Sequence, residues 1–283
     1  MVWQPILGAA AEGIGIVSEK QILKRKDVSY KNYTVLGFLA IVIVMIPLLF
    51  FYWKVSPQAY ELKNILILVL VVILSLIANL LYFFSIKWEK VTALEPIRLL
   101  QPLLVIILAL FLFPSERNLV IIPLAIIASL ALIGSHIKKH HLSFNKYALA
   151  TLFSSLFFAI ELVASKYILE YYSSITFYFI RCFFIFLAGF LIFRTNPLKP
   201  KTKIKLYILA IGIIWVFYRI VLYYGYMHYG IVLTTLLFAL APVFTYFFSY
   251  IFLKEKPCIR NIIAAIVIVI CVIIGIIKTG IDF

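Results

Sequence analysis

Residues 233–255 read LTTLLFALAPVFTYFFSYIFLKE, and from Leu233 to Leu253 there is no formal charge; the first two, Lys254 and Glu255, come close together at the end. A helix rises ~1.5 Å per residue and the hydrocarbon core of a bilayer is ~30 Å thick, so a run of this length reads as a membrane span. Pro242 stands in its middle. The same arrangement occurs upstream: Pro102 lies in the centre of an apolar run, Glu116 follows in a tight loop, and Gly134 and Gly275 lie near the ends of the runs after each glutamate. The proline, glutamate and glycine pairs are separated by 140, 139 and 141 residues. Ser18-Glu19-Lys20 aligns with Ala164-Ser165-Lys166 at a shift of 146.

The whole chain has the same character. Of its 283 residues, 65% are hydrophobic and only 13% charged, with a mean hydropathy of +1.12. A soluble domain carries roughly 25% charged residues, so soluble enzymes and nucleic-acid-binding modules are excluded. Apolar runs long enough to span fall near residues 3–23, 33–53, 65–86, 92–113, 118–137, 147–168, 175–194, 205–226, 231–252 and 259–278. The narrowest separations are between the third and fourth and between the eighth and ninth. The first run continues to about residue 23 without a basic leader or cleavage pattern, so it is expected to remain as a helix. The expected fold is an all-α integral membrane protein of ten transmembrane helices. The two halves, residues 1–140 and 141–283, hold five spans each, and an odd number per half inverts the second copy: two inverted five-helix repeats.

A net charge of +15 would suggest a nucleic-acid partner in a soluble chain; here the basic residues sit between spans. Loops after odd-numbered spans carry 18 Lys and Arg, the opposite side carries 5, and three arginines lie inside spans. Basic loops stay in the cytoplasm, so the expected arrangement in the cell membrane has odd-numbered loops cytoplasmic and both termini outside. Cys182, Cys258 and Cys271 have neither an even count nor metal-ligand spacing. His140 and His141, beside Lys138 and Lys139, have no nearby carboxylates to build a metal site. No metal and no cofactor are expected. Asn32-Tyr33-Thr34 matches a glycosylation acceptor, but it abuts a span on the expected cytoplasmic side.

A mid-helix proline, a glutamate in the next turn and an apolar helix ending in glycine, present twice, resembles the EamA-like branch of the drug/metabolite transporter superfamily. The residues are Pro102, Glu116 and Gly134, then Pro242, Glu255 and Gly275. Where that family usually has Gly before the turn glutamate, this chain has Ser115 and Lys254. Ala11-Glu12-Gly13-Ile14-Gly15 followed by Lys20 resembles a stretch of the small multidrug-resistance transporters in the same superfamily, where the glutamate is the proton and substrate site. The resemblance implies ten helices around a central cavity lined by helices 1, 3, 4, 6, 8 and 9, and a transporter that alternates access. Many relatives keep both termini cytoplasmic, opposite to the charge count.

Ionisable groups inside spans cost several kcal/mol, roughly 2.5–3.5 on insertion scales, and so mark partners or a cavity. Glu12 lies near the middle of the first span, with Gly8 and Gly15 on its face; it is the candidate proton-coupling group, and a packed, protonated carboxyl is the alternative. Arg219 shares a face with Trp215, Tyr223 and Tyr226, a combination able to clamp an anionic group and hold a ring. The substrate-binding candidates are Arg219, Trp215, Tyr223, Asn79, Arg98 and Glu161. Glu95 and Arg98 are spaced to pair at the interface. Glu161 and Arg181 fall at similar heights on antiparallel helices and can pair, while Lys20 and Lys166 near helix ends are expected to snorkel. Pro102 and Pro242 each leave a carbonyl, at Arg98 and Phe238, without its usual donor; matching breaks in two halves mark a transporter site and make them hinge candidates.

The chain is thus expected to be no enzyme but a secondary active transporter of a small polar metabolite, such as an amino acid or another carboxylate-bearing compound. It has no nucleotide-binding loop, so a proton or a counter-substrate is its open energy source. Its partners are the small-molecule substrate and the lipid bilayer, with no nucleic acid; the sequence fixes no oligomeric state. The alternative is an intramembrane enzyme acting on a lipid-linked phosphate substrate, with Glu12 or Glu161 as base.

Overall fold

The computed structural model describes residues 3–98, 100–136, 145–195, 200–256 and 259–279. His140, His141 and Cys258 lie outside them. Among the described residues every long element is a helix: α1 (Trp3–Leu23), α2 (Tyr30–Tyr52), α3 (Leu62–Trp88), α4 (Val91–Arg98), α5 (Leu100–Leu112), α6 (Ile121–His136), α7 (Lys146–Ile168), α8 (Ser174–Phe193), α9 (Thr202–His228), α10 (Ile231–Phe238), α11 (Ala241–Phe248) and α12 (Ile259–Thr279). The two narrow separations are real ends: α3 stops at Trp88 before α4 begins at Val91, and α9 stops at His228 before α10 begins at Ile231. Among the described residues, seven helical stretches are long and apolar enough to cross a membrane, namely α2, α3, α4–α5, α7 with its terminal turn, α8, α9 and α10–α11 with the turn to Leu253. In α6 and α12 the apolar stretches, Ile121–Ala131 and Ile262–Lys278, are shorter. α1 is not one of the seven; Glu12, Glu19 and Lys20 interrupt its apolar run.

The ends follow local chemistry. Ser29 caps α2 by accepting from the Asn32 N–H at 3.1 Å, Asn145 caps α7 through Tyr147 and Ala148, and Ser173 caps α8 through Thr176. Asn32 is therefore inside the first turn of a helix, a poor place for a glycan. α10 stops at Phe238 and α11 resumes at Ala241, which is the interruption expected where Pro242 removes the donor to the Phe238 carbonyl.

Burial is turned inside out relative to a soluble protein. Phe50, Phe51, Phe111 and Leu119 are 75–89% exposed, whereas Glu19, Glu95, Glu161 and Arg181 are at most 3% exposed. An apolar coat over a charged interior is what a lipid solvent selects. Inside it, α1 packs on α9 and on α10 and α11, while α7 packs on α3 and on α4 and α5; α2 meets α8 and α9, α3 meets α8, and α6 meets α12.

Two lysines and two glutamates tie helix ends together. Lys20 is buried, and its Nζ donates to the carbonyls of Ile86 at 2.7 Å and Glu89 at 2.6 Å, at the end of α3. Lys166 donates in the same way to the Tyr226 carbonyl near the end of α9. Neither lysine snorkels: the terminal carbonyls of a neighbouring helix are unsatisfied acceptors with partial negative charge, and they hold the ammonium groups instead. Glu116 accepts from the N–H groups of Ile231 and Val232 at the start of α10, and Glu255 accepts from that of Thr92 in α4 at 3.2 Å.

Segments 53–56 and 171–173 close one face by main-chain contacts. Val55 and Tyr172 form an antiparallel bridge; Ser56 N–H donates to the Tyr171 carbonyl at 2.8 Å and Ser173 N–H to that of Lys54 at 3.1 Å. Thr176 Oγ1 receives the Lys54 N–H at 3.0 Å.

Candidate substrate cavity

A cavity of about 750 Å³, counting its mouth, lies among α1, α2, α3, α4–α5, α7, α8 and α9. It runs from Glu19, Tyr33 and Ile208, towards the ends of α1, α2 and α9 that meet the 24–29 and 200–201 segments, to Arg181 in α8 and Arg219 in α9. The implied lining by helices 1, 3, 4, 6, 8 and 9 is therefore changed in three places, with the second and seventh spans added and the ninth absent. Tyr33, Phe38 and Ile41 of α2 and Tyr178 and Arg181 of α8 line the wall, and no residue of α10 or α11 does. The cause of the absence of α10 and α11 is their close seat on α1 at Gly8 and Gly13. A Cβ at Gly8 would meet the Phe238 ring at 2.6 Å, and one at Gly13 the Phe244 and Thr245 backbone at 2.8–2.9 Å. α10 and α11 are thus seated directly on α1.

The charges form two clusters. In the first, Arg98 Nη2 donates to Glu12 Oε1 at 2.6 Å, with Glu95 Oε2 at 3.8 Å from Nη1 and the Tyr82 hydroxyl at 3.4 Å. Arg98 is thus held across the cavity by Glu12 more closely than by Glu95, its neighbour in sequence. In the second, Glu161 is wholly buried; its Oε1 is 3.2 Å from Arg181 Nη1 and receives the Ser165 hydroxyl at 2.9 Å, and its Oε2 is 3.7 Å from Arg219 Nη1. The expected Glu161–Arg181 pair is present, and Arg219 joins it. Arg181 also donates to Ser75 Oγ at 2.9 Å and to the Tyr223 hydroxyl at 2.6 Å. Ser154, on the same face as Glu161, donates instead to the Ala78 carbonyl at 2.8 Å.

Of the residues singled out in the sequence, Glu12, Asn79, Arg98, Trp215 and Arg219 line the cavity, whereas Glu161 and Tyr223 stand behind the wall and hold the arginines. Asn79 Nδ2 donates to the Ser75 carbonyl at 2.7 Å. Arg219 lies over the rings of Tyr218 and Tyr223, at 5.6 and 5.8 Å from their centroids, while its Nη1 has no hydrogen-bond partner. Pro102 and Pro242 do not line the cavity, although Gln101 does. The cavity also takes in Glu19, Tyr33 and Tyr82, which the sequence did not mark as site residues. Glu19 stood out only as a repeat marker, and an ionisable group about a turn from a helix end looks like an interfacial one.

On the face opposite the 53–56 and 171–173 segments, Gln21, Arg25, Lys201, Lys203 and Tyr207 line a groove. Arg25 donates to Asp27 at 3.2 Å and holds that carboxyl below its ordinary range.

An apolar-coated helical body enclosing arginines and glutamates around a cavity is the build of a multi-pass membrane protein. Residues 145–277 match the model of the EamA-like transporter family. Over those residues, a little under half of the chain, it is similar to EamA-like transporters of the drug/metabolite transporter superfamily, the likeness that Pro242, Glu255 and Gly275 indicated. A solved crystal structure of a protein with 17% identity superposes with a TM-score of 0.71, covering 99% of this chain and 97% of that one, a likeness of fold. No curated protein matches the chain.

Proposed function

We propose that the chain is a secondary active transporter that alternates access and moves a carboxylate-bearing small metabolite, such as an amino acid. The observation that carries this reading is the Arg219 guanidinium, which lines the cavity over the Tyr218 ring, tied to Glu161 behind the wall by a 3.7 Å ion pair rather than by a hydrogen bond. A planar fork with spare donors next to aromatic faces suits a carboxylate on an organic body. Arg98 is the second anion site, and Asn79 a polar contact between them. Glu161 and Tyr223 position the arginines.

Proton coupling through Glu12 follows from its pair with Arg98. A substrate carboxylate arriving at Arg98 competes with Glu12, and the released carboxyl takes up a proton from cavity water. The intramembrane-enzyme alternative has less support, because Glu12 and Glu161, its two bases, are each engaged by arginine.

The ten-helix, twice-repeated architecture belongs to the same proposal. α1 packs on α9 as α7 packs on α3, and α10 and α11 lie on α1 as α4 and α5 lie on α7. Lys20 holds the end of α3 as Lys166 holds the end of α9; Glu116 caps α10 as Glu255 caps α4. These are the reciprocal contacts that a pseudo-two-fold axis in the membrane plane generates. With the 18 to 5 charge bias, the cavity faces the cytoplasm and the 53–56 and 171–173 segments close the outer side.

The test is uptake and counterflow of radiolabelled amino acids and other carboxylates by purified protein in proteoliposomes. Counterflow of at least one of them is expected, lost in Arg219→Ala. Absence of flux for the whole panel, with turnover of a lipid-linked phosphate instead, would reverse the assignment.

A further inference from the structure

α1 carries two cavity carboxylates seven residues apart, Glu12 and Glu19, on one helix face and ~10 Å apart along the axis. Their surroundings differ. Glu12 is bound to Arg98 at 2.6 Å. Glu19 is 3% exposed, and among the described residues no Lys or Arg pairs with it. Its Oε1 accepts from the Tyr33 hydroxyl at 3.2 Å, and its Oε2 has no partner. The Trp215 indole N–H neighbours the same carboxyl and brings it a neutral donor, not a counter-charge.

A buried carboxylate without a counter-charge is costly, so this one takes a cation. A hard metal ion asks for about six oxygen ligands. The wall around Glu19 offers the phenols of Tyr33 and Tyr82, the Phe83 ring, Ile208 and Ile211, with no second carboxylate in reach to complete a shell. A proton needs only the free lone pair of Oε2. The titratable and charged groups facing Glu19 are Tyr33 from α2, Tyr82 from α3 and Arg98 from α4, with Glu95 behind Tyr82 and Tyr207 of α9 behind Tyr33. Arg98, the one cation in that set, is committed to Glu12. α10 and α11 bring the uncharged Phe238, Phe244 and Thr245 against α1.

We propose that Glu19 is a second proton-binding site of the transport cavity, loaded independently of Glu12. It rests on the transporter reading. Glu19 accepts a proton from hydronium in the cavity, leaving water, and returns it to water when the cavity faces the other side. Each cycle then carries one proton in addition to any exchanged at Glu12.

Infrared difference spectroscopy of the purified protein, titrated between about pH 5 and 9, follows the carbonyl band of protonated carboxyls without any substrate. A titrating band is expected that Glu19→Gln removes and Glu12→Gln keeps. No such band in the wild type, or a band that survives Glu19→Gln, overturns the proposal. If Glu19→Gln does not fold, Glu19→Asp serves: a shifted midpoint supports the site, and an unshifted one overturns it. In proteoliposomes, one coupled proton is worth about a tenfold solute gradient per pH unit. For a solute that the wild type moves, Glu19→Gln is expected to keep counterflow and lose about tenfold of the pH-driven gradient; an unchanged gradient refutes the proton role. A wild type that moves no solute defeats the transporter reading, while the infrared result still decides whether Glu19 binds a proton.

Discussion

Glu116 holds the first peptide N–H of α10, that of Ile231, 115 residues further along the chain. The same carboxylate takes the Val232 N–H at 3.0 Å, so one side chain satisfies two of the donors that a helix start leaves open. Gly230 makes the approach possible. It sits at φ +80°, and a Cβ there would stand 2.8 Å from Glu116 Oε2. Glu116→Ala is expected to cost about 1.5–3 kcal/mol, as hydrogen bonds to charged groups do, and Glu116→Gln less because one acceptor oxygen remains. Gly230→Ala adds backbone strain to the lost cap. Thermal unfolding in detergent ranks the three; a Glu116→Ala protein as stable as the wild type would remove the cap from the account.

The Val55–Tyr172 bridge predicts a lock. In a background with the native cysteines replaced by serine, Val55→Cys with Tyr172→Cys is expected to form a disulfide under mild oxidation and to stop counterflow, with recovery on reduction. Full counterflow by the cross-linked protein would show that these segments do not part during transport.

Glu161 neutralises Arg181 and Arg219 together. Removing one partner of a buried ion pair typically costs about 3–5 kcal/mol, because the remaining charge stays in a low-dielectric interior. Glu161→Gln is therefore expected to lower the unfolding temperature more than Arg219→Lys, which keeps the charge and loses the planar fork. Arg219→Lys is expected to insert normally and bind substrate more weakly. The reverse ranking in thermal unfolding would mean that Glu161 does not hold the arginines.

Pro102 and Pro242 stay outside the cavity wall, so a role in transport has to come through helix bending. Pro→Ala at either restores a backbone donor; the variants are expected to fold and insert and to turn over more slowly. Unchanged turnover in both would leave the prolines as packing residues.

For orientation, a single cysteine at Lys203 is expected to be protected from impermeant thiol reagents in intact cells, and one at Lys54 to be labelled. The opposite pattern would place the basic loops outside and favour the cytoplasmic termini of many relatives.

Most helices were legible because lipid demands long apolar runs: the first span, 3–23, coincides with α1 despite its charges, and the most divergent, the third and the eighth, each differ by three residues at the start and two at the end. Pro242 announced the break between α10 and α11 for an equally local reason. Partners across the cavity were harder. Sequence spacing favoured Glu95 for Arg98 because i,i+3 neighbours are visible in a string, whereas the closer partner, Glu12, is 86 residues away. Gly8 and Gly15 on the Glu12 face left room for another backbone or a ligand; Gly8 is filled by Phe238 of α10 and Gly15 faces the Trp215 ring, and no spacing rule tells the two uses apart. Lys20 and Lys166 misled for a related reason, since the acceptors they reach are backbone carbonyls, which carry no signature in the sequence. Glu19 was hidden by its place near a helix end.

The face closed by residues 53–56 and 171–173 is held by peptide groups, with Thr176 and Ser173 hydroxyls beside them, and no formal charge takes part in those bonds. The opposite face brings Arg25, Lys201 and Lys203 around one groove. Like charges within a Debye length, ~8 Å at physiological ionic strength, repel less as salt rises. Dissolved ions thus act unequally on the two sides of the molecule: they ease the basic rim together and leave the peptide clasp untouched, so ionic strength is a one-sided handle on the two faces.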